Sequence, residues 1–389
     1  MRLSYTIRRA RGFSLIELMV AVVVGMLAVI FATRLLVTSE QQKSAAVGGS
    51  DSMQNGMLAM FQINTDAAQA GWGINDALVN GCNTVMSDTD GFQLTQATRG
   101  GANITPLAPI VIQSNATRSD VISIYSGSAI SGVGNVGVGA AYTGGSSITI
   151  NVNTPFNFLQ GDVLLVAPEP AGGNCSLAQL DATPTTNVLG FVNNASFRFN
   201  SGSLQGGNYQ SGQARVFNLG QPQKLAFHTW SVTNGVLMLR ATDLAGTARN
   251  PQSVIDNVVA IKAQYGFDTR LPAAVIADPR PQVTQWSATM VDADNDGLVG
   301  GASDYQRIAG IRLAVIARSS VAEKPDPTSG QCNATTAGLQ VFAGAAPAGV
   351  AAVPVTVALD VANDPISWTC YRYRAFETIV PIRNSGWRP

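Results

Sequence analysis

At 389 residues, 46% hydrophobic but only 12% charged, the chain has material for one large or two modest cores and is too apolar to be disordered as a whole. Lysine plus arginine and aspartate plus glutamate number 24 each, and a net charge of zero argues against a nucleic-acid binder that works by neutralising phosphates. The 39 glycines and 18 prolines, with 7% aromatics, describe a loop-rich β protein with a polar, uncharged surface suited to life outside the cytoplasm.

The charge is unevenly placed. Arg2, Arg8, Arg9 and Arg11 crowd the first 12 residues, and without them 20 basic side chains face 24 acidic ones, a mildly acidic body of net −4. From Phe13 to Val37 the ionisable groups are Glu17 and Arg34 alone. About 20 apolar residues suffice to cross a bilayer as a helix. The basic cluster on the N-terminal side predicts a cytoplasmic N-terminus and an outside body. A secretory signal would end in a small-x-small cleavage site after its apolar run. Here the plausible break, Gly12 to Phe13, precedes the run, so the membrane helix is expected to stay.

The stretch "RGFSLIELMVAVVV" resembles the class III leader of type IV prepilins and pseudopilins. The resemblance implies that prepilin peptidase cuts after Gly12 and that the new N-terminal Phe13 is methylated. It divides the start of the chain into a leader, 1–12, and a membrane-spanning segment, 13–37. A carboxylate near the centre of a bilayer costs about 2.5–3.5 kcal/mol on insertion scales and calls for a partner. For Glu17 the resemblance implies pairing with the cationic N-terminus of a neighbouring subunit, which sets axial register.

The helix is predicted to continue over 38–70 as an amphipathic half. Met53, Met57, Met60, Phe61 and Asn64 recur at spacings of three and four, which reads as the face laid on a sheet. Gly48 and Gly49 predict local melting or a bend, and "AGWGIND" from Ala70 ends the helix with glycines.

Short runs rich in β-branched and aromatic residues follow, among them "DVISIYSGS", "DVLLVAP", "QARVFNL", "KLAFHTWSV" and "GVLMLRAT", separated by Gly, Asn, Ser and Pro. Thr233, Asn234 and Gly235 read as a hairpin turn. One long helix followed by many strands predicts an α+β fold: a long N-terminal helix, membrane-spanning in its first half, packed on a large β-rich C-terminal domain, 71–389, of mostly antiparallel strands. A division into two lobes near residue 205 stays open.

Four cysteines, Cys82, Cys175, Cys332 and Cys370, allow three pairings. In an oxidising compartment two disulfides are expected, and sequence proximity favours Cys82 with Cys175 and Cys332 with Cys370. In "DADNDGLVGGASD", Asp292, Asp294 and Asp296 at alternate positions before Gly297 reproduce the first half of a calcium loop, with Leu298 offering a carbonyl and Asp304 a late carboxylate. Ser303 stands where the bidentate glutamate belongs, so the loop reads either as a structural calcium site or as an acidic solvated turn between strands, and no cofactor is required. "GVGNVG" at Gly132 satisfies a dinucleotide pattern formally, but neither a following helix nor an acidic residue supports it. His228 has no nucleophile or third partner in view, so a hydrolase triad is remote. The alternation Tyr371, Arg372, Tyr373, Arg374 is too short for nucleic-acid stacking.

"VVAIKAQYGFDTR", "IAGIRLAVIARSS" and the terminal "YRYRAFETIVPIRNSGW" resemble the C-terminal half of PilW-type minor pilins. That resemblance implies a non-enzymatic subunit of the tip or priming complex of a type IV pilus, supporting assembly, adhesion or twitching. Its partners would be other minor pilins, the major pilin, prepilin peptidase, the inner-membrane assembly platform and a possible tip adhesin. It would be a single-pass inner-membrane protein with a periplasmic body before assembly, and part of a surface pilus afterwards. A minor pseudopilin of a type II secretion system is the alternative, and a membrane-anchored periplasmic binding protein or enzyme is a third reading.

Overall fold

The computed structural model describes residues 14–128, 135–153 and 155–385. Gly12, Phe13 and the first part of the glycine-rich run at 132 lie outside them. One helix, α1 (Leu15–Gln69), runs for 55 residues, about 80 Å at 1.5 Å per residue. It starts in a capping box: the Ser14 hydroxyl accepts from Ile16 N–H at 3.3 Å, and the Glu17 carboxylate accepts from Ser14 N–H at 2.9 Å. The local melting expected at Gly48 and Gly49 does not occur, and the helix passes unbroken through both. Gly48 serves contact instead, since a Cβ there would lie 3.0 Å from Cβ of Ser319. The helix stops at Ala70, and Gly71, at φ +83°, turns the chain so that its N–H donates to the Tyr125 carbonyl at 2.9 Å.

Two sheets receive the helix, and a third shares their core. The C-terminal sheet has the order Gln285–Ser287, Val258–Phe267, Ile308–Arg318, Tyr373–Pro381, all antiparallel. Ile261, Ala263 and Tyr265 on one strand and Ile311, Leu313 and Val315 on its neighbour face the main core with α1, while Ala260, Ala314 and Ile316 face away into a smaller core. A second antiparallel sheet joins Gln252–Asp256, Val236–Ala241, Ala226–Thr233, Val121–Ser126 and Ile110–Gln113. Its central hairpin turns on Asn234 and Gly235, both at positive φ (50° and 77°), as a tight two-residue loop demands.

The third sheet has six strands and one parallel pair, Cys82–Val85 with Asn174–Gln179. It is buried on both faces. Leu165, Leu177 and Phe217 enter the main core, while their neighbours Leu164, Val166, Ala178 and Val216 enter a separate core with Ile148, Phe191 and Tyr209. A sheet shared by two cores leaves no lobe boundary at residue 205. The neighbouring Leu204 belongs to the second core itself.

Candidate functional site

The first part of α1, Leu15–Val37, is long and apolar enough to cross a membrane, and none of it is covered by the rest of the chain. Glu17 sits in its first turn with the carboxylate turned onto the helix start. Gly12 and Phe13, which the prepilin resemblance singles out, lie outside the described residues.

Lower down, the helix meets the sheets through an unexpected face. Ser52, Gly56, Ala59, Ile63 and Ala67, at spacings of four, three, four and four, are buried. The predicted stripe points the other way: Met53, Met57 and Phe61 are 48%, 54% and 67% exposed, and Met60 alone of the apolar four packs against the core. The reason is distance. A Cβ added to Gly56 would lie 2.1 Å from Cε2 of Phe376, so the helix axis sits too close to the Tyr373–Pro381 strand for a methionine.

A polar clamp holds the end of α1. The His228 ring engages Asp66 of α1 through Nδ1 at 2.8 Å and Asp243 through Nε2 at 2.9 Å, and Trp230 Nε1 donates to the same Asp66 oxygen at 2.8 Å. Burial alone would lower the imidazole pKa, but the hydrogen bonds and charges of Asp243 and Asp66 outweigh it and push it up to about 9. With both ring nitrogens committed to carboxylates, His228 is an ion-pair bridge between helix and sheet.

The acidic loop is assembled only in part as the calcium pattern suggests. Asp292, Asp294 and Asp296 each bring a carboxylate oxygen within 4.8 Å of the others. They also tie the loop's own backbone: Asp292 accepts from Gly297 N–H at 2.9 Å and Asp296 from Leu298 N–H at 2.7 Å. Asp304 is not brought to this cluster. Fully buried at the start of a short helix, α2 (Ala302–Gln306), it accepts from Ala293, Gly300 and Gly301 N–H at 2.6, 2.8 and 3.0 Å. Burial raises its pKa to about 6 against those hydrogen bonds, with the charge of Asp294 adding to the rise. Three convergent carboxylates are half the oxygen set a calcium ion takes, and the Asp304 carboxylate is spent on closing the loop.

Of the three possible cysteine pairings the structure holds Cys82–Cys175 and Cys332–Cys370, with Cα separations of 6.0 and 4.8 Å. The first lies along the parallel strand pair, the second where the chain enters its last strand.

Comparison with known proteins agrees with this layout. Residues 228–384 match the family model "Type IV Pilus-assembly protein W", and residues 7–33 match the prokaryotic N-terminal methylation motif. No curated protein sequence matches the chain. A type IV-like pilin from Thermus thermophilus aligns with 59% of this chain and 87% of its own at 13% identity, with a TM-score of 0.21, too low to argue from. The first family match covers His228, Trp230 and Asp243 of the clamp and the sheet on which α1 rests, and the second covers Glu17 and most of the membrane-length run. With the methylation motif at the head of its uncovered helix and the pilus-assembly protein W domain as that helix's seat, the chain resembles PilW-type minor pilins over these two segments, and the two matches together support that reading.

Proposed function

We propose that this protein is a structural subunit of the complex that primes a type IV pilus and remains at its tip. Before assembly it stands in the inner membrane as a single-pass protein with its body on the periplasmic side. The observation that carries this reading is the unpartnered length of α1. Leu15–Val37 is bare, which a bilayer explains, but Met53, Met57, Leu58 and Phe61 form a second exposed apolar strip well past the membrane-length run. An exposed apolar strip on a folded body marks a protein contact. Helices of other minor pilins and of the major pilin supply that chemistry, and in such a bundle Glu17 meets a neighbour's cationic N-terminus. Prepilin peptidase and the assembly platform act on the same helix beforehand, and a tip adhesin is a further possible partner. Nothing in this role needs catalysis.

The test is the N-terminal mass of the protein from cells with and without prepilin peptidase, beside the phenotype of a gene deletion. A mature chain starting at methylated Phe13 only when the peptidase is present, with pili and twitching lost on deletion, supports the proposal. Normal pili with lost protein secretion would assign the protein to a type II secretion system. An N-terminus at Met1 in both strains overturns the reading.

A further inference from the structure

Past its last strand, Tyr373–Pro381, the chain keeps a fixed heading. Ile382 N–H donates to the Ala309 carbonyl at 3.1 Å, so the antiparallel register carries on toward Arg307 and Gln306. Asn384 Nδ2 donates to Ala70 at the end of α1 at 3.3 Å, and Ser385 is buried, with its carbonyl taken by the Asn80 side chain. Asn80 is itself fully buried, and its Oδ1 finds no hydrogen-bond partner among the described residues. A buried acceptor without a donor is costly. The next backbone donors in the sequence are the N–H groups of Gly386 and Trp387, which lie beyond the described residues.

A cavity of about 240 Å³ adjoins this point. Gln306, one of its lining residues, donates from Nε2 to the Ala77 carbonyl at 3.0 Å and so touches the turn that carries Asn80. The volume is room for on the order of eight water molecules, less than the roughly 300–1,000 Å³ of small-molecule sites, and suits a single large side chain. One wall is apolar, formed by Pro272, Val275 and Ile276 of the short helix Pro272–Ala277. Val275 is buried, but Ile276 is 74% exposed, an aliphatic side chain with nothing laid on it among the described residues.

The remaining lining is charged. Arg307 brings a guanidinium, held by the carbonyls of Asp268 and Arg270 at 3.2 and 2.8 Å. Asp294 brings a carboxylate that lies within 4.8 Å of those of Asp292 and Asp296. An aliphatic wall beside a guanidinium favours an aromatic ring. Three neighbouring carboxylates favour a cation next to them.

The residues that follow Ser385 are Gly386, Trp387, Arg388 and Pro389, which supply one aromatic ring and one cation side by side. Three extended residues span about 10 Å, roughly the width of the helix α2 that separates the Asn80 turn from the cavity. We propose that this cavity seats the chain's own tail, with the Trp387 ring against Val275 and Ile276, Arg388 beside Asp294, and a tail N–H satisfying Asn80 Oδ1. The tail then acts as a strap, tying the loops that carry Ile276 and Asp294 to the end of α1. Its heading, set by Ala309, Ala70 and Asn80, selects it as the occupant, together with its matching side chains and charge.

The experiment uses the full chain in detergent micelles. Trp387 is one of five tryptophans, so its own fluorescence is read as the difference between the wild type and Trp387→Phe. The peptide Ser-Gly-Trp-Arg-Pro serves as the undocked reference. The Trp387 signal is expected to be blue-shifted from that of the peptide and several times less accessible to acrylamide. Ile276→Asp, which places a charge on the apolar wall, is expected to shift the equilibrium at least about tenfold toward the undocked tail. Asp294→Asn is expected to shift it the same way by up to about fivefold. Ile276 is largely exposed and Trp387 belongs to no described element, so neither substitution puts folding at stake. A Trp387 signal equal to the peptide's, or a shielded signal that either variant leaves unchanged, overturns the proposal.

Discussion

Gly56 and Phe376, 320 residues apart in sequence, occupy each other's space: the ring edge of Phe376 fills the position that a Cβ on residue 56 would take, at 2.1 Å. The contact sets how closely α1 lies on the Tyr373–Pro381 strand. Gly56→Ala gains about 1 kcal/mol of helix propensity and forces an overpacked contact worth about 1–3 kcal/mol in the other direction. We expect a net loss of thermal stability, and partial recovery in the double variant Gly56→Ala/Phe376→Leu. A rise in melting temperature for the single variant would show that the helix can lift off the sheet freely.

The His228 clamp predicts a stability that depends on pH. A histidine whose folded pKa is raised to about 9 from an unfolded value of 6.5 contributes fully below pH 6.5, and the contribution fades as pH rises through 9. The span corresponds to roughly 3 kcal/mol. Urea unfolding at pH 6 and pH 10 should differ by about that order in the wild type and by clearly less in His228→Gln, after the common effect of other groups is subtracted. An equal difference in both chains would mean that the ring is not charged between Asp66 and Asp243.

Lys262 and Asp120 form an ion pair that is 2% and 0% exposed at its side chains, and the ammonium also donates to the carbonyls of Asn115 and Arg118. Removing one partner strands the other charge in a low-dielectric interior, so Lys262→Met is expected to lose about 3–5 kcal/mol. Adding Asp120→Asn should cost less than Asp120→Asn does alone, a coupling that chemical denaturation of the four chains would read. Additive losses would count against the pair.

The two disulfides close long segments, 93 and 38 residues. Each is expected to contribute about 2–4 kcal/mol, more for the longer loop in the chain-entropy account. Intact mass after alkylation without reductant should show no label. Replacing Cys82 and Cys175 together by alanine should lower the melting temperature more than replacing Cys332 and Cys370.

Much of the architecture can be read from local pattern. The apolar run with its lone glutamate, the Asn234–Gly235 turn and the strand-rich remainder follow from side chains acting on near neighbours, and they correctly indicate the α+β class. The middle of the chain resists because strands such as Val163–Pro168 are buried on both faces and show no alternation to follow. The site features fail to show for a different reason. Methionines at helical spacing look like a packing face, but the residue that forbids them on the buried side, Phe376, comes 320 positions after Gly56. The same holds for Asp304, which spacing offers as a cation ligand and which the loop's own N–H groups claim.

The sequence by itself therefore determined a membrane-length apolar helix that begins within an N-terminal methylation motif, because insertion and helix formation depend on the composition of a continuous segment. Only the tertiary structure decided which side of that helix faces the body and that His228 bridges Asp66 and Asp243. Those outcomes rest on close packing and paired charges between residues tens to hundreds of positions apart, and neither composition nor periodicity contains such distances.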